Sequence, residues 1–115
     1  MPVASFDRAF EKQPSEQLTI RAEFADIYAN LVVSGYTFSA VDLKVYDTAG
    51  TDVTTSMVEG TPSIDAGNYY VFVTFKAGED GKDYFVRFRT TWTKGGQPDQ
   101  KPEKDLLIQV RQMGF

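Results

Sequence analysis

The feature that most constrains this fold is a strict alternation of side chains in residues 84–93, YFVRFRTTWT. Every second residue from Tyr84 is aromatic, valine or threonine, and this set includes Trp92. The residues between them include Arg87 and Arg89. Successive side chains of a β-strand point to opposite faces of a sheet, so this period of two predicts a strand with one buried face. No long stretch of the chain follows the helical period convincingly. The sequence therefore indicates a sheet protein.

The same alternation recurs in residues 18–24, 41–46 and 106–110, between segments rich in glycine, proline, asparagine and aspartate. Residues 69–75, YYVFVTF, are apolar on both faces, which predicts a strand that is central or covered on its outer side. Short strands spaced by such turns in 115 residues are typical of an all-β domain. We predict an immunoglobulin-like or fibronectin III-like β-sandwich of about six to seven antiparallel strands, with little or no helix. A small closed barrel is the alternative architecture.

Four connections carry specific expectations. Residues 76–83, KAGEDGKD, combine two glycines with alternating charges, which predicts a hairpin whose flanking strands are antiparallel neighbours. Residues 47–52, DTAGTD, predict a turn with a glycine at positive φ and a local bond from an aspartate. The segment 53–60, VTTSMVEG, is interpreted as a short strand. Residues 25–36 are interpreted as a connection with a short strand or a helical turn.

The length of the chain fits one domain. Residues 1–13 are predicted to form a charged, strand-free arm, residues 14–112 the β-sandwich, and residues 113–115 a short tail. Pro14 marks the first boundary because it cannot donate to a β-ladder. Two roles for Phe10 stay open: it either caps the open end of its own core or docks on a neighbouring subunit.

The composition excludes several classes of function. The chain contains no histidine and no cysteine, so it cannot build a histidine-dependent triad, a thiolate metal site or a disulfide. A formal net charge of −4 argues against binding to a phosphate backbone. No apolar run is long enough for a transmembrane helix, and the N-terminal MPVASFDRAF does not resemble a secretory signal. We therefore expect no catalysis, metal, cofactor, nucleic acid, membrane or small-molecule substrate.

Three acidic residues of one turn and a single tryptophan are candidates for ligand binding. Glu79, Asp80 and Asp83 surround two glycines, but their spacing is not that of an EF-hand and Lys82 lies among them. A solvated turn is the simpler interpretation. Trp92 is the natural platform for stacking on a sugar, but its phase in the alternation places it in the core.

Several aromatic side chains point away from the predicted core on strands expected to be adjacent. Together they would form one exposed apolar patch, which on a soluble domain indicates a partner. The arginines beside them suit a protein interface, although carboxylates on a neighbouring strand explain them equally well. Aromatic residues near both ends of the chain are further candidate anchors. The candidate partner-binding residues are Phe6, Phe10, Tyr46, Tyr70, Phe72, Phe85, Arg87, Arg89 and Phe115.

Several short motifs follow one another in a recognisable order. They are a Lys-Gln-Pro-x-Glu lead at Lys12, Gln13, Pro14 and Glu16, a Gly-x-x-Gly-x-x-Tyr turn at Gly78, Gly81 and Tyr84, a strand end at Thr90 and Thr91, and a final Val110 and Arg111. Over residues 10–112 the chain resembles the small immunoglobulin-like structural proteins of tailed bacteriophages. This is the fibre–tail adaptor or head-associated virion protein family.

The resemblance implies a protein without catalytic activity that is made in the host cytoplasm and incorporated into the virion. It implies binding to other phage structural proteins, in several copies, as a head–tail connector, a tail adaptor or a capsid decoration protein. Sheet edges and terminal arms would make these contacts. The alternative, from a different class, is a carbohydrate-binding or adhesive β-sandwich on a surface apparatus.

Overall fold

The computed structural model describes residues 3–4, 6 and 9–112. Its elements, in chain order, are β1 (Val3–Ala4), β2 (Phe10–Lys12), β3 (Leu18–Glu23), α1 (Ala29–Val33), β4 (Thr37–Asp47), α2 (Thr54–Met57), β5 (Val58–Asp65), β6 (Tyr70–Phe75), β7 (Asp83–Thr93) and β8 (Glu103–Val110). The strands form two four-stranded sheets, sheet A with the order β1-β3-β6-β5 and sheet B with the order β2-β8-β7-β4. The prediction of an all-β sandwich is confirmed. No helix among the described residues is long and apolar enough to cross a membrane.

The core lies between the two sheets and is built from the apolar phase of each alternating segment. On β7 every second residue from Tyr84 to Trp92 is buried, while Phe85, Arg87 and Arg89 are exposed. Trp92 is completely buried, and its indole Nε1 donates to Thr90 Oγ1 at 2.9 Å. The predicted core position of the tryptophan is therefore confirmed, and its single polar atom is satisfied there.

The predicted hairpin at residues 76–83 is wrong, because the strands that flank it lie in different sheets. Strand β6 is already paired on both sides, with β3 and β5, whereas β7 lies between β8 and β4. The connection therefore crosses from sheet A to sheet B. Gly78 makes the crossing close to the core: it has a φ of +98°, and a Cβ there would lie 2.9 Å from Val110 Cγ2.

Two other connections contain a single helical turn each. The expected strand in VTTSMVEG is only partly present, because α2 precedes β5. Asp52 Oδ1 accepts bonds from the backbone N and the hydroxyl of Thr54, at 2.9 and 2.6 Å, and this local pairing favours the turn over an extended chain. Between β3 and β4, the helical turn α1 is the one of the two expected forms that occurs.

The expectation of a strand-free N-terminal arm is also wrong. Strand β1 pairs in parallel with β3, and β2 pairs in parallel with β8. The described residues therefore contain eight strands rather than six or seven, and two of the pairings are parallel. These strands escaped sequence analysis because two or three residues are too few to show a period. The immunoglobulin-like connection of the strands stays a prediction.

Candidate functional site

The solvent face of sheet B carries a row of three apolar side chains on adjacent strands. Phe85 on β7 lies opposite Tyr46 on β4 and Leu107 on β8. Phe85 is 43% exposed although β7 is an inner strand of its sheet, and the other two side chains are half-buried. An aromatic side chain of this size in water keeps apolar area that a partner can cover.

Arg87 borders this row and is held in place on two sides. Its Nε and Nη2 donate to the two carboxylate oxygens of Asp105, at 3.1 and 3.4 Å. The hydrogen bond and the charge of Asp105 raise the pKa of Arg87. Its Cζ lies 5.7 Å from the ring centroid of Tyr46. We call Tyr46, Phe85, Arg87, Asp105 and Leu107 the sheet B patch.

The next row of the same face is charged. Arg89 lies opposite Asp42 on β4 and Glu103 on β8, and all three side chains are exposed. Opposite charges on directly facing positions of a sheet attract weakly. Arg87 thus forms a direct cross-strand ion pair with Asp105, as the explanation of the arginines by cross-strand carboxylates predicts. For Arg89 the register places two carboxylates opposite, and the explanation stays a prediction.

Tyr70 and Phe72 lie on the solvent face of sheet A, on the opposite side of the molecule from the sheet B patch. Their ring centroids are 6.2 Å apart in an edge-to-face arrangement, and Arg21 Cζ lies 4.6 Å above the ring of Tyr70. The expectation of one continuous aromatic patch that joins these residues to Tyr46 and Phe85 is wrong. The crossing between β6 and β7 is the reason, since it places the two pairs of aromatics on different sheets.

The aromatic residues near the N-terminus contact their own core. Phe6 packs against Phe24 and Phe88, with ring centroids 5.4 and 5.7 Å apart. Phe10 is half-buried against the core, opposite Ile108 in the register of β2 and β8. Of the two roles left open for Phe10, capping its own core is therefore the one that the structure contains. Phe115 lies outside the described residues.

The buried position of Lys12 was not predicted from the sequence. This residue is 2% exposed, and its Nζ donates to the carbonyl oxygens of Gln13, Pro14 and Ala77, at 2.7, 3.3 and 2.5 Å. Burial lowers the pKa of the Lys12 ammonium, and the charge of Glu16 partly offsets this effect. The only sequence signal was its place two residues after Phe10, in the inward phase of a strand too short to recognise.

The rest of the Lys-Gln-Pro-x-Glu lead forms a closed turn around this lysine. The backbone N of Gln13 donates to Glu16 Oε1 at 3.2 Å, and the backbone N of Glu16 donates to the carbonyl of Gln13 at 3.2 Å. The lysine in turn ties this segment to Ala77, which has a φ of +56° and belongs to the crossing between the sheets. The motif thus has a structural role that joins the N-terminal segment to the core.

The acidic turn does not bring its carboxylates together. Asp83 pairs with Arg111 at 2.8 Å, Glu79 pairs with Lys82 at 3.4 Å, and Asp80 Oδ1 accepts from the backbone N of Gln112 at 2.8 Å. Each carboxylate therefore has its own partner, and no group of three or more acidic residues among the described positions is arranged as a metal site.

No family model matches this sequence, and no curated protein is similar to it at a significant level.

Proposed function

We propose that this chain is a structural protein of a tailed-phage virion, without catalytic activity, that binds other virion proteins. The observation that carries the protein-binding role is the exposure of Phe85 between Tyr46 and Leu107. An apolar row centred on an inner strand and bordered by an oriented arginine has the composition of a protein interface: an aromatic centre with a polar rim. The binding partner is another phage structural protein, and the chain acts in several copies.

The place of this chain in a virion rests on the sequence resemblance. Two features of its motifs are consistent with that assignment. The Lys-Gln-Pro-x-Glu lead forms a specific turn around a buried lysine, and the Gly-x-x-Gly-x-x-Tyr segment forms the crossing between the sheets. Motifs with such structural roles belong together in one fold. Whether the chain serves as a connector, a tail adaptor or a capsid decoration protein stays open in this proposal.

We also infer an immunoglobulin-like connection of the strands, which the sheet orders support. The order β3-β6-β5 corresponds to strands B, E and D of a constant-type immunoglobulin domain, and β8-β7-β4 corresponds to G, F and C. The first strand of the fold is then divided, with β1 beside β3 and β2 beside β8. The parallel pairing of β1 with β3 departs from the antiparallel ladder expected between A and B.

Substitution of Phe85 by serine tests the proposed interface. The change removes the apolar centre of the sheet B patch but leaves the core intact, so Phe85→Ser should reduce the amount of the protein in purified particles about tenfold or more. Phage particles produced with the wild-type or the variant gene would be purified, and the chain quantified in them by mass spectrometry.

Phe72→Ser is the matched control, because it removes the same ring from the solvent face of the other sheet. Circular dichroism of both purified variants establishes that they fold. Normal incorporation of Phe85→Ser would reject the sheet B patch as the interface, and absence of the wild-type chain from particles would reject the virion assignment itself. The sugar-binding alternative gains no support, since Trp92, its principal candidate, is buried.

A further inference from the structure

Strand β4 is the edge of sheet B, and part of this edge is uncovered. Along β4, the backbone N–H and C=O groups of one residue bond to β7 and those of the next residue face outward, as in any antiparallel edge strand. Val45 uses its outward-facing groups: its carbonyl accepts from the N of Val53 at 2.8 Å, and its N donates to Thr54 Oγ1 at 2.9 Å. Val41 and Leu43 lie four and two residues before Val45, so their backbone N–H and C=O groups also face outward. These groups have no partner among residues 3–4, 6 and 9–112.

A depression runs along this uncovered part of the edge. It lies between β4 of sheet B and β5 of sheet A, and α2 closes one end. Its lining is mainly apolar or hydroxyl-bearing, with Val41, Leu43, Thr55, Val58, Thr61 and Pro62 among its residues. The register of β5 is irregular between Glu59 and Ser63, so this segment leaves its ladder beside the depression. Side chains of an added strand would have room there, next to unpaired backbone groups.

The two sides of the sandwich differ in this respect. On the other side, the edge strands are β1 and β2, which have only two and three residues and so offer a short template for an added strand. Strand β4 is longer, and the described residues cover its stretch at Val45 and Asp47, through residues 51–54, but not Val41 and Leu43. An uncovered edge strand is a template for another extended chain. The stretch at Val41 and Leu43 combines unpaired backbone groups with the adjacent depression, and this combination indicates where an external strand can be added.

We propose that the edge of β4 at Val41–Leu43 binds an extended segment of a partner protein, which adds to sheet B as an antiparallel strand. The segment carries apolar side chains opposite Val41 and Leu43, which face the depression, and a lysine or arginine opposite Asp42 on the solvent face. Asp42 is the nearest charge to that position, because Lys44 is two residues away and Arg89 is one strand further. The identity of the partner as a virion protein rests on the proposed function, but strand addition itself does not.

A second copy of this chain fits the same edge poorly. A symmetric pair that uses the free groups of Val41 and Leu43 from both copies places Asp42 opposite Asp42, which repels. A shift of register that pairs Asp42 with Lys44 instead requires the backbone groups of Val45, which residues 53 and 54 already occupy. These two registers therefore disfavour self-association, whereas a segment of different sequence with a lysine or arginine opposite Asp42 meets neither obstacle.

A capped peptide, Ser-Thr-Val-Lys-Val-Thr-Ser, serves as the probe, with its lysine designed to lie opposite Asp42. It would be titrated at up to millimolar concentration into the isotope-labelled full chain, and amide shifts would be followed by NMR. We expect shifts concentrated at Val41, Asp42 and Leu43. The counterpart peptide with glutamate in place of lysine should bind about two- to fivefold more weakly. N-methylation of both valines should abolish binding, because it removes the ladder donors.

Two variants of the chain sharpen the test. Asp42→Lys should reverse the preference between the two peptides, while Val41→Pro should abolish binding, since its lost N–H faces the edge and not β7. Absence of shifts at this edge with the lysine peptide, shifts centred on another strand, or equal binding of the N-methylated peptide would each overturn the proposal. These results are independent of particle incorporation, so failure here and failure of the virion assignment are distinguishable.

Discussion

At the scale of single residues, Lys12 is the most unusual position in the molecule. An ammonium group is costly to bury, and it is tolerated only where hydrogen bonds replace its water. Here each of its three protons has a backbone carbonyl as its acceptor. Two of these carbonyls belong to the turn that leaves β2, and the third belongs to Ala77 in the crossing between the sheets. The lysine therefore acts as a polar cross-link rather than as a reactive group.

Replacement of Lys12 by methionine should lower the free energy of unfolding by about 1–3 kcal/mol. The methionine keeps most of the apolar stem, but the carbonyl oxygen of Ala77 loses its donor. Urea denaturation followed by tryptophan fluorescence measures the change. Lys101→Met, at an exposed loop position, is the control and should change stability by less than about 0.5 kcal/mol. Equal stability of the two variants would show that the three bonds contribute nothing.

At the scale of elements, the crossing from β6 to β7 determines which faces the aromatics occupy. Gly78 and Gly81 both have positive φ in this crossing, +98° and +82°. They differ in their surroundings: a Cβ at Gly78 would meet Val110 Cγ2 at 2.9 Å and Met57 at 3.4 Å, whereas nothing lies within 4 Å at Gly81. Alanine substitutions at the two positions therefore separate the cost of backbone strain from the cost of steric overlap with the core.

Gly81→Ala should destabilise the protein by about 1–2 kcal/mol, because alanine disfavours a positive φ. Gly78→Ala should cost about a further 1–3 kcal/mol, because the new methyl group overlaps the core. Chemical denaturation of both variants gives the two values. If Gly78→Ala were no worse than Gly81→Ala, the close approach of the crossing to Val110 would be contradicted.

The elements also show how far sequence patterns determine this fold. The five long alternating strands and the buried Trp92 follow from the period of two, because burial of one face selects every second side chain. The period of two does not indicate which strands pair with each other. The glycines and charged residues of 76–83 suit a chain that folds back on its own sheet and equally a chain that crosses to the other sheet. Strand β2 pairs with β8, and its Lys12 bonds to the carbonyl of Ala77, which is distant in sequence; no local pattern encodes either contact.

The candidate site was therefore predicted as a set of residues but not as a surface. The outward phase of each strand identified Tyr46, Phe85 and Arg87 correctly as neighbours in space, since their strands pair. Tyr70 and Phe72 were outward too, but on the opposite sheet. The edge of β4 gave no sequence signal at all, because its unpaired groups belong to the backbone.

At the scale of the whole molecule, the N-terminal segment joins the two sheets on one side. Strand β1 belongs to sheet A and β2 to sheet B, and Phe6 lies between them in the chain. The ring of Phe6 contacts Phe24, which directly follows β3, and Phe88 on β7. One side chain therefore touches both layers of the sandwich. We therefore expect the contact of Phe6 to stabilise the side of the sandwich that β1 and β2 form.

Phe6→Ala should consequently weaken the side of the sandwich that β1 and β2 form, and do so selectively. Loss of a half-buried ring should lower the free energy of unfolding by about 1–3 kcal/mol, somewhat less than at a fully buried phenylalanine. Amide hydrogen exchange should accelerate in β3 and β8, where the N-terminal strands pair, and change less in β4 and β5 beyond the global loss of stability. Val33→Ala is the control, because Val33 is 86% exposed in α1. Uniform acceleration across all strands would contradict a local role and show that the segment is part of a single cooperative unit.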